Sequence, residues 1–599
     1  MSRWPPEHRR SERHALTKQL VDTALGRDKA DFVVRRATLV NVNSGELIEG
    51  QDIAVKRDRI ALVGDATHTI SASTTVVDVA GKYVAPGFLD GHVHIESSMI
   101  TVTQFARAVL PWGTTTCFID PHEIGNVLGL PGVRLMLDEA QTLPLKLFVT
   151  APSCIPASAF ETPGARIGPP EIEEMMEWEG VVALGEMMNY PAVLAGDERI
   201  HGEIAATLRA GRVVEGHDTG LMDRELAAYA AAGITSSHES TRKLDAVQRV
   251  RLGMYAMLRQ GSAWLDVPET VKAVTEERID PRHVCVVTDD REPASIISDG
   301  HMNHAIRVAI EHGVDPVTAI QMGTLNTAEH FELAREVGSI APARLADIVV
   351  LDSLTQMRVG RVFADGVEVA HGGKMLVDFR TPEYPDLARR SVHLSRELTA
   401  RDFALRAPVE RGEVQVRVMG AIEGSVLTRH LVRDLKVHDR QVQPAVYDAI
   451  LKTAIVQRHS GSNAIGLGFT QGFAFAKGAV ASTVAHDAHN LLVLGTNDRD
   501  MAIAANTLAE HGGGIITVVD GRTVALVELP IAGLMSEQPV EAVSAQVSRM
   551  YDVWRELGCQ WVSPFMTLSL LGLTVLPELR LSDQGLVDTV RFQLVSPFA

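Results

Sequence analysis

The chain has 599 residues, with 57 Lys and Arg against 75 Asp and Glu, which gives a formal net charge of −18. A hydrophobic content of 46% with 22% charged residues is typical of a globular protein of several domains and excludes disordered, collagen-like and coiled-coil classes. Phosphate groups require basic surface, so the acidic balance disfavours a nucleic-acid or anionic-membrane binder. We expect no nucleic-acid and no membrane partner.

Cysteine usage and the ends of the chain predict a cytoplasmic protein. No two cysteines have the C-x-x-C spacing of a zinc or redox motif, and so few cannot form a disulfide framework. Residues 1–30 are polar and lack the apolar segment of a secretory signal, so we expect a helical or loosely ordered N-terminal extension. The apolar stretch 561–576 is interrupted by Ser, Pro, Gly and Thr and indicates buried core rather than a membrane span. The cysteines are Cys117, Cys154, Cys285 and Cys559.

Short β-rich runs precede and follow the central part of the chain. Residues 31–83 contain FVVRRATLVNV and DIAVKRDRIALVG, and Arg57-Asp58-Arg59 divides the second run as a hairpin turn would. The same texture returns in residues 341–384, where Asp365-Gly366 is a hairpin turn signal. We expect the two flanks to pair into one small β-sandwich domain.

Residues 84–340 alternate between apolar runs and helical-looking segments at 125–140, 200–210, 223–231 and 244–259. Eight strands in about 255 residues predict a (β/α)8 TIM barrel. A doubly wound open sheet also alternates, but it needs fewer strands and usually a Gly-rich first turn, which is missing here. Residues 385–599 predict an additional C-terminal α/β domain. The eight strand candidates are the run before His92, then TTCFID, LKLFVT, VVALGE, RVVEGH, GITSSH, SAWLDV and HVCVVTD.

His92 and His94 form the strongest local signal. Residues two apart on a strand point to the same face, and the pair ends the first barrel strand, where such barrels carry their active sites. Two histidines at this spacing also occur by chance and then face solvent. The later strands favour a metal site, because four of them also end in a side chain that can bind a metal. Each of these side chains by itself could instead be a cap. These groups are Glu186, His217, His238 and Asp289.

Four imidazoles and two carboxylates exceed what one catalytic zinc requires, since such a zinc typically takes three protein ligands and a water. They suit two divalent ions bridged by a carboxylate and roughly 3.5–4 Å apart. This ligand set admits Mn, Fe, Co or Zn. A bridging hydroxide would be the nucleophile, and Asp289 can both contact a metal and shuttle the water's proton to the leaving group.

At the level of motifs, the chain resembles the microbial adenine deaminases of the amidohydrolase superfamily. The resemblance covers nearly everything beyond about residue 30 and implies a barrel, a β-sandwich built from both flanks and a C-terminal domain. The motifs that carry it are PGFLDGHVHIESS, DPHEIGNV, LGEMMNYP, GHDTGL, SSHES, VTDDR, GHMNHAIRVAIEHGVDPVTAIQMGTLNTAEHF, VAHDAHNLLVLG and PFMTLSLLGLTVLPEL.

The resemblance also implies a role for each strand-end group. His92 and His94 match the ligands of one metal, and His217 and His238 match those of the other. Glu186 takes the bridging place that a carboxylated lysine fills in dihydroorotase-like relatives.

Asp289 matches the ligand and base of the last strand. The sequence departs from the family pattern at two positions. Ala343 stands at the second glycine of the usual G-x-I-x-x-G-x-x-A-D motif, and Ser237 stands where an Asp commonly precedes the histidine. Neither departure removes a ligand.

Further polar residues are candidates for substrate contact. Deamination of a purine requires proton delivery to a ring nitrogen, for which a carboxylic acid or an imidazolium is suited. Glu96 is our candidate for a second catalytic group, and Asp120, His122 and Glu123 are candidates for substrate binding. A solvated loop residue, or a turn residue for Asp120, is the alternative in each case. The segment 486–489, His-Asp-Ala-His, is either part of a lid over the active site or a structural hydrogen-bond cluster.

Together the residues and the resemblance predict hydrolysis of adenine to hypoxanthine and ammonia, a reaction of purine salvage. We expect a small-molecule purine substrate, two divalent ions per subunit, Mn or Fe with Zn as the alternative, and a homodimer. The competing hypotheses are another amidohydrolase reaction, such as cyclic amide hydrolysis or amino-sugar deacetylation, and a metal-binding barrel without activity.

Overall fold

A computed structural model describes residues 2–3 and 10–599. Of the predicted N-terminal extension, residue 1 and residues 4–9 lie outside the described part. The remainder contains a helix, Arg13–Ala24, whose Leu16 and Leu20 are buried against Ala61. This helix is therefore packed against the neighbouring β-sheet. Ser2–Arg3 pairs in parallel with Val377–Asp378.

One nine-stranded sheet combines the two flanks of the chain. Ile348–Ser353 runs antiparallel to Tyr83–Pro86, which joins the flanks. Both predicted hairpins are confirmed: Lys56 lies opposite Arg59, and Ala364 lies opposite Val367 across the Asp365-Gly366 turn. The strands are Phe32–Asn41, Glu46–Lys56, Arg59–Gly64, Thr75–Asp78, Tyr83–Pro86, Ile348–Ser353, Arg358–Ala364, Val367–His371 and Lys374–Met375.

The central part of the chain is a TIM-barrel-like α/β arrangement of eight parallel strands. The first five form one sheet and the last three form another. Asp289–Asp290, directly after the eighth strand, pairs with Val93 and His94 of the first. Between the fifth and sixth strands, the Thr235 N–H donates to the Val214 carbonyl at 3.0 Å. The strands are Phe88–His94, Thr114–Ile119, Lys146–Ala151, Val181–Met187, Val213–Gly216, Ser236–Ser237, Tyr255–Arg259 and Val284–Val287.

The prediction was wrong about the seventh barrel strand. The sequence pattern predicts a helix over 244–259 and a strand at SAWLDV, 262–267. In the structure the helix Lys243–Arg251 ends before Gly253, whose φ of 81° suits glycine, and the strand is Tyr255–Arg259. Its apolar residues continue the helical periodicity of the preceding segment, so only pairing with the sixth and eighth strands distinguishes this strand from a helix.

Helices follow the barrel strands and bury their apolar faces against them. The predicted helix over 125–140 is divided into two at Gly129, where φ is 65° and ψ is −150°. The helices are Val102–Val109, His122–Leu128, Leu130–Ala140, Pro169–Met176, Tyr190–Ala195, Glu198–Arg209, Asp223–Ala231, Lys243–Arg251, Val267–Thr270, Lys272–Thr275, Pro293–Ser298, Met302–Glu311, Pro316–Met322 and Leu325–His330.

Residues beyond about 385 build a second α/β unit around another nine-stranded sheet. Its helices are Asp386–Arg389, Asp498–Glu510, Val540–Glu556 and Pro564–Ser569. Its strands are Gly412–Ala421, Thr428–His438, Gln441–Val442, Ile450–Val456, Ile465–Gln471, Ala479–Ser482, Leu491–Gly495, Gly514–Val519 and Arg522–Glu528, with a smaller sheet of Leu579–Ser582, Gly585–Asp588 and Gln593–Val595.

Within the apolar stretch 561–576, the helix Pro564–Ser569 is buried, as predicted for core. Among the described residues, no helix has the length and apolar character needed to cross a membrane.

Candidate metal centre and active site

The first barrel strand presents both of its histidines to one buried site. His92 and His94 are 2% and 4% exposed, and their Nε2 atoms lie 3.1 Å apart. The His94 Nδ1 lies 3.0 Å from the Asp120 carbonyl, a contact that orients the ring with Nε2 toward the site. The alternating faces of the strand therefore aim the pair as the sequence predicts.

Glu186 lies between two sets of histidines. Its Oε1 is 3.7 Å from the His94 Nε2, while its Oε2 is 2.6 Å from the His217 Nδ1 and 3.1 Å from the His238 Nε2. The Oε2 also lies 3.8 Å from the His92 Nε2, so this one carboxylate contacts all four histidines. This is the geometry that a bridging ligand between two cations requires.

Asp289 completes the ring from the opposite side. Its Oδ1 lies 3.3 Å from the His94 Nε2 and 3.7 Å from the His92 Nε2. Its Oδ2 accepts a hydrogen bond from the Arg259 Nη1 at 3.0 Å. The Oδ1 therefore faces the site, and the Oδ2 is hydrogen-bonded to Arg259 on the opposite side.

The donor atoms fit divalent cations. In each of three overlapping triads the ligand atoms lie within 4.8 Å of one another, as atoms bound at about 2.0–2.2 Å to a common ion must. Imidazole nitrogens and carboxylate oxygens suit Mn, Fe, Co and Zn alike. The triads are His92 with His94 and Glu186, His92 with His238 and Asp289, and Glu186 with His217 and His238.

The electrostatics keep both carboxylates ionised. Burial opposes ionisation of Glu186, but His217 and His238 lower the pKa of its carboxyl well below the usual value. Burial likewise opposes ionisation of Asp289, but His94 and Arg259 lower its pKa well below the usual value. Both groups are therefore anionic, the form that binds metal.

The four predicted substrate or catalytic residues lie beside this ring, at different depths. Asp120 accepts a hydrogen bond from the backbone N–H of Glu186 at 2.7 Å, so it holds the fourth strand. Glu96 accepts one from the Ile124 N–H at 3.2 Å, and Glu123 accepts one from the Ser97 hydroxyl at 3.1 Å. His122 lines the cavity above the candidate metal ligands, whereas the three carboxylates are buried around it.

Residues of the C-terminal unit cover the cavity. Its lower wall carries barrel groups, including His94, Glu186, Asp289 and Asp290. Its upper wall combines the apolar Val426, Leu570, Leu573 and Leu576 with the polar His486 and Asp487.

The segment 486–489 therefore divides between the two roles considered from the sequence. His486 and Asp487 line the cavity. The Ala488 carbonyl accepts a hydrogen bond from His459, and the His489 carbonyl accepts one from Arg458, so this half supports the C-terminal core.

Sequence reasoning missed Arg259 and Glu239. The Arg259 Nη1 pairs with the Glu239 Oε1 as well as with Asp289, and Glu239 lies 3.8 Å from the His238 Nε2. Glu239 directly follows a predicted ligand, so its position was a usable signal. Arg259 gave none, because its strand was read as the end of a helix.

The two departures from the family pattern have local explanations. The Ser237 hydroxyl accepts from the backbone N–H groups of Asp218 and Glu239 at 3.4 Å each, which orders the loop around His238. Ala343 has a φ of 68°, in the left-handed region that favours glycine, and its carbonyl accepts a hydrogen bond from Arg59 at 2.8 Å.

Comparison with known proteins agrees with this architecture. The model of the amidohydrolase family matches residues 83–369, and the model of the adenine deaminase C-terminal domain matches residues 425–593. The chain is 54% identical over 582 residues to the adenine deaminase of Moorella thermoacetica, covering 97% of this chain and 98% of the relative. It is 47% identical to that of Clostridium botulinum, at 97% and 98% coverage, and 48% identical to that of Mesorhizobium japonicum, at 97% and 97%.

Proposed function

The chain belongs to the adenine deaminase family of amidohydrolases and is an enzyme that deaminates adenine, and we propose that it does so at the ring of ligands around Glu186. The observation that carries this site assignment is the position of the Glu186 carboxylate among all four histidines, with Oε1 toward His94 and Oε2 toward His92, His217 and His238. Cyclic amide hydrolysis and amino-sugar deacetylation have no such support from the relatives, and we do not propose them.

We assign His92 and His94 to one divalent cation, His217 and His238 to the other, and Glu186 to both. When bound, such cations acidify a water toward neutrality and polarise the atom that it attacks. Manganese or iron is our proposal for the metal, with zinc as the alternative, since the donor set suits all three.

Asp289 is the proposed proton shuttle. The reaction forms a bond between a water oxygen and C6 of adenine, breaks the bond from C6 to the amino nitrogen, and releases ammonia. The Asp289 Oδ1 faces the site while its Oδ2 is held by Arg259, so this carboxylate can take the water's proton and deliver it to the departing amine.

The acid that protonates the purine ring is proposed to be Glu96. Burial and the adjacent Glu123 carboxylate raise the pKa of Glu96 to about 8, so it keeps its proton at neutral pH. We propose that the ring of His122 packs against the base, because it lines the cavity, and that Asp120 acts by holding the backbone of Glu186.

The cavity suits a planar heterocycle. Its upper wall is apolar, with Leu570, Leu573 and Leu576, and Trp264 lies at its side. Apolar walls with a few converging polar groups are typical of small-molecule sites. The C-terminal unit therefore contributes directly to the proposed binding of the base.

We propose four finer features together. The eight barrel strands close into a (β/α)8 barrel. The domains are the extension 1–30, a β-sandwich of 31–83 with 341–384, the barrel 84–340 and the C-terminal domain 385–599. The protein is a homodimer and is cytoplasmic, the latter supported by four unpaired, buried cysteines.

The test is adenine turnover by the full chain before and after metal exchange. We expect the chelated protein to be inactive and addition of Mn²⁺ or Fe²⁺ to restore conversion of the adenine absorbance to that of hypoxanthine. Metal analysis of the same samples shows whether the activity follows the metal content. Full turnover by protein shown to be metal-free would contradict the proposed site, and absence of turnover in metal-loaded protein would contradict the substrate.

A further inference from the structure

A second group of metal-type side chains lies where the barrel meets the C-terminal unit. We call His122, Glu123, His486, Asp487 and His489 the junction cluster. The His122 Nε2 is 3.8 Å from the Asp487 Oδ1, and the His486 Nδ1 is 3.6 Å from the same oxygen. Donor atoms of His122, His486 and Asp487 all lie within 4.8 Å of one another.

Several atoms of the junction cluster are buried without a hydrogen-bond partner. These include the Glu123 Oε2, the Asp487 Oδ2 and the His489 Nε2, on side chains that are 0%, 2% and 0% exposed. The Glu123 Oε2 and the His489 Nε2 face each other at 3.9 Å. A buried polar atom without a partner costs about 1–3 kcal/mol, so three in one place indicate a bound group that satisfies them.

The charge of the surroundings favours a cation. Asp290 is half-buried and shares the Ser97 hydroxyl with Glu123, so it adds a carboxyl group to those of the cluster. In the part of the chain that the structure describes, no Lys or Arg forms an ion pair with Glu123 or Asp487. Arg458 hydrogen-bonds only to the backbone carbonyl of His489 within the cluster.

His122 can serve this cluster without leaving the predicted metal centre. Its Nδ1 faces the Glu186 Oε1 at 3.4 Å and Asp120 at 3.5 Å. Its other nitrogen, Nε2, faces Asp487. The two ring nitrogens therefore point to different groups.

We propose that the junction cluster binds a third divalent cation, with His122 through Nε2, His486 and Asp487 as ligands and Glu123 as a further carboxylate beside them. The ion would connect the barrel to the C-terminal unit, because His122 belongs to the barrel and both His486 and Asp487 belong to the C-terminal unit. Mixed imidazole and carboxylate donors suit Mn²⁺, Fe²⁺ or Zn²⁺. This site adjoins the two ions of the proposed function, because its three ligands line the same cavity, and it rests on that proposed function.

The test counts metal ions in the full chain, using Mn²⁺ as the probe. Chelated protein is reloaded, freed of excess ion and analysed for Mn per chain, and crystals of the wild type are examined for anomalous Mn scattering. We expect three ions in the wild type and two in the double variant His486→Gln/Asp487→Asn. The wild-type crystals test the site even if the variant does not fold.

A matched control is His459→Gln, which changes a neighbouring histidine whose Nε2 hydrogen-bonds to the Ala488 carbonyl. We expect it to keep three ions, whereas His217→Gln should lose an ion from the metal centre and keep scattering at the junction cluster. Two ions in the wild type, or three that persist in the double variant, would overturn the proposal. Adenine turnover in the same wild-type samples separates this failure from failure of the proposed function.

Discussion

Arg259 and Asp289 form a buried ion pair, in which the Arg259 Nη1 donates to the Asp289 Oδ2 at 3.0 Å. The same guanidinium contacts Glu239, and its Nε donates to Asp266 at 2.9 Å. One cation from the seventh strand thus orients a carboxylate beyond the eighth. The Asp289 Oδ1 remains free to face His94.

Asp289→Asn should abolish adenine turnover while the fold is retained. The amide cannot accept the water's proton, so we expect kcat to fall by about 10²–10⁴-fold, the usual contribution of a general base. Circular dichroism and thermal melting check the fold, and the absorbance assay gives the rate. Asp138→Asn, on an exposed helix position, is the control and should leave kcat unchanged. An unchanged rate in Asp289→Asn would refute the proton shuttle.

Arg259→Lys should lower kcat/KM by about 10–100-fold, since a misplaced catalytic group loses about that much. The ammonium of the new lysine keeps the positive charge but lacks the planar set of donors with which Arg259 contacts Asp289, Glu239 and Asp266. We expect the metal content to stay at the wild-type value, which separates a positioning role from loss of the site. Arg251→Lys, an exposed position nearby in the chain, is the control. Wild-type kcat/KM in Arg259→Lys would show that orientation by this residue is unnecessary.

Lys146→Met should destabilise the protein by about 3–5 kcal/mol, because it leaves the buried Asp347 carboxylate without its cation. Asp365 keeps its contact with the Arg10 Nε at 3.0 Å. The Lys146 Nζ lies 2.7 Å from both Asp347 and Asp365, and all three side chains are buried. Denaturant unfolding measures the loss. The control is Lys82→Met, which removes an exposed pair with Asp352 and should cost about 1 kcal/mol or less. Equal effects of the two substitutions would contradict this account.

Glu161→Gln should change how stability depends on pH. Burial, then the charges of Asp487 and Asp583, raise the pKa of Glu161 to about 8 from an ordinary value of 4.5. Between these two values the folded state keeps a proton that the unfolded state loses. This group therefore reduces stability as pH rises through that window, by up to about 1.4 kcal/mol per pH unit.

Glutamine cannot ionise and keeps the contacts to Ser158 and Thr574, so the variant should gain melting temperature relative to the wild type between pH 5 and pH 8. Thermal melts across this range measure the gain. Glu174→Gln, on an exposed position, serves as control and should show a constant difference. A Glu161→Gln difference that does not grow with pH would show that Glu161 is ionised in the folded state.

Local patterns in the sequence were enough to predict the strand-end groups. A strand of period two places His92 and His94 on one face, and parallel strands end at a common rim, so Glu186 and Asp289 could be expected near them. The two hairpins followed from turn residues alone. All of these inferences depend on residues close in the chain or on a rule of barrel geometry.

Tertiary structure decided what local periodicity does not encode. Tyr255–Arg259 is a strand because it pairs with Val284–Val287, about 28 residues later, although its own residues also suit a helix. Arg259 therefore reaches Asp289 only in the folded chain. The packing of His486 and Asp487 over His122 likewise joins positions more than 360 residues apart. Contacts of this range are selected by the burial of whole surfaces, and no short segment carries that information.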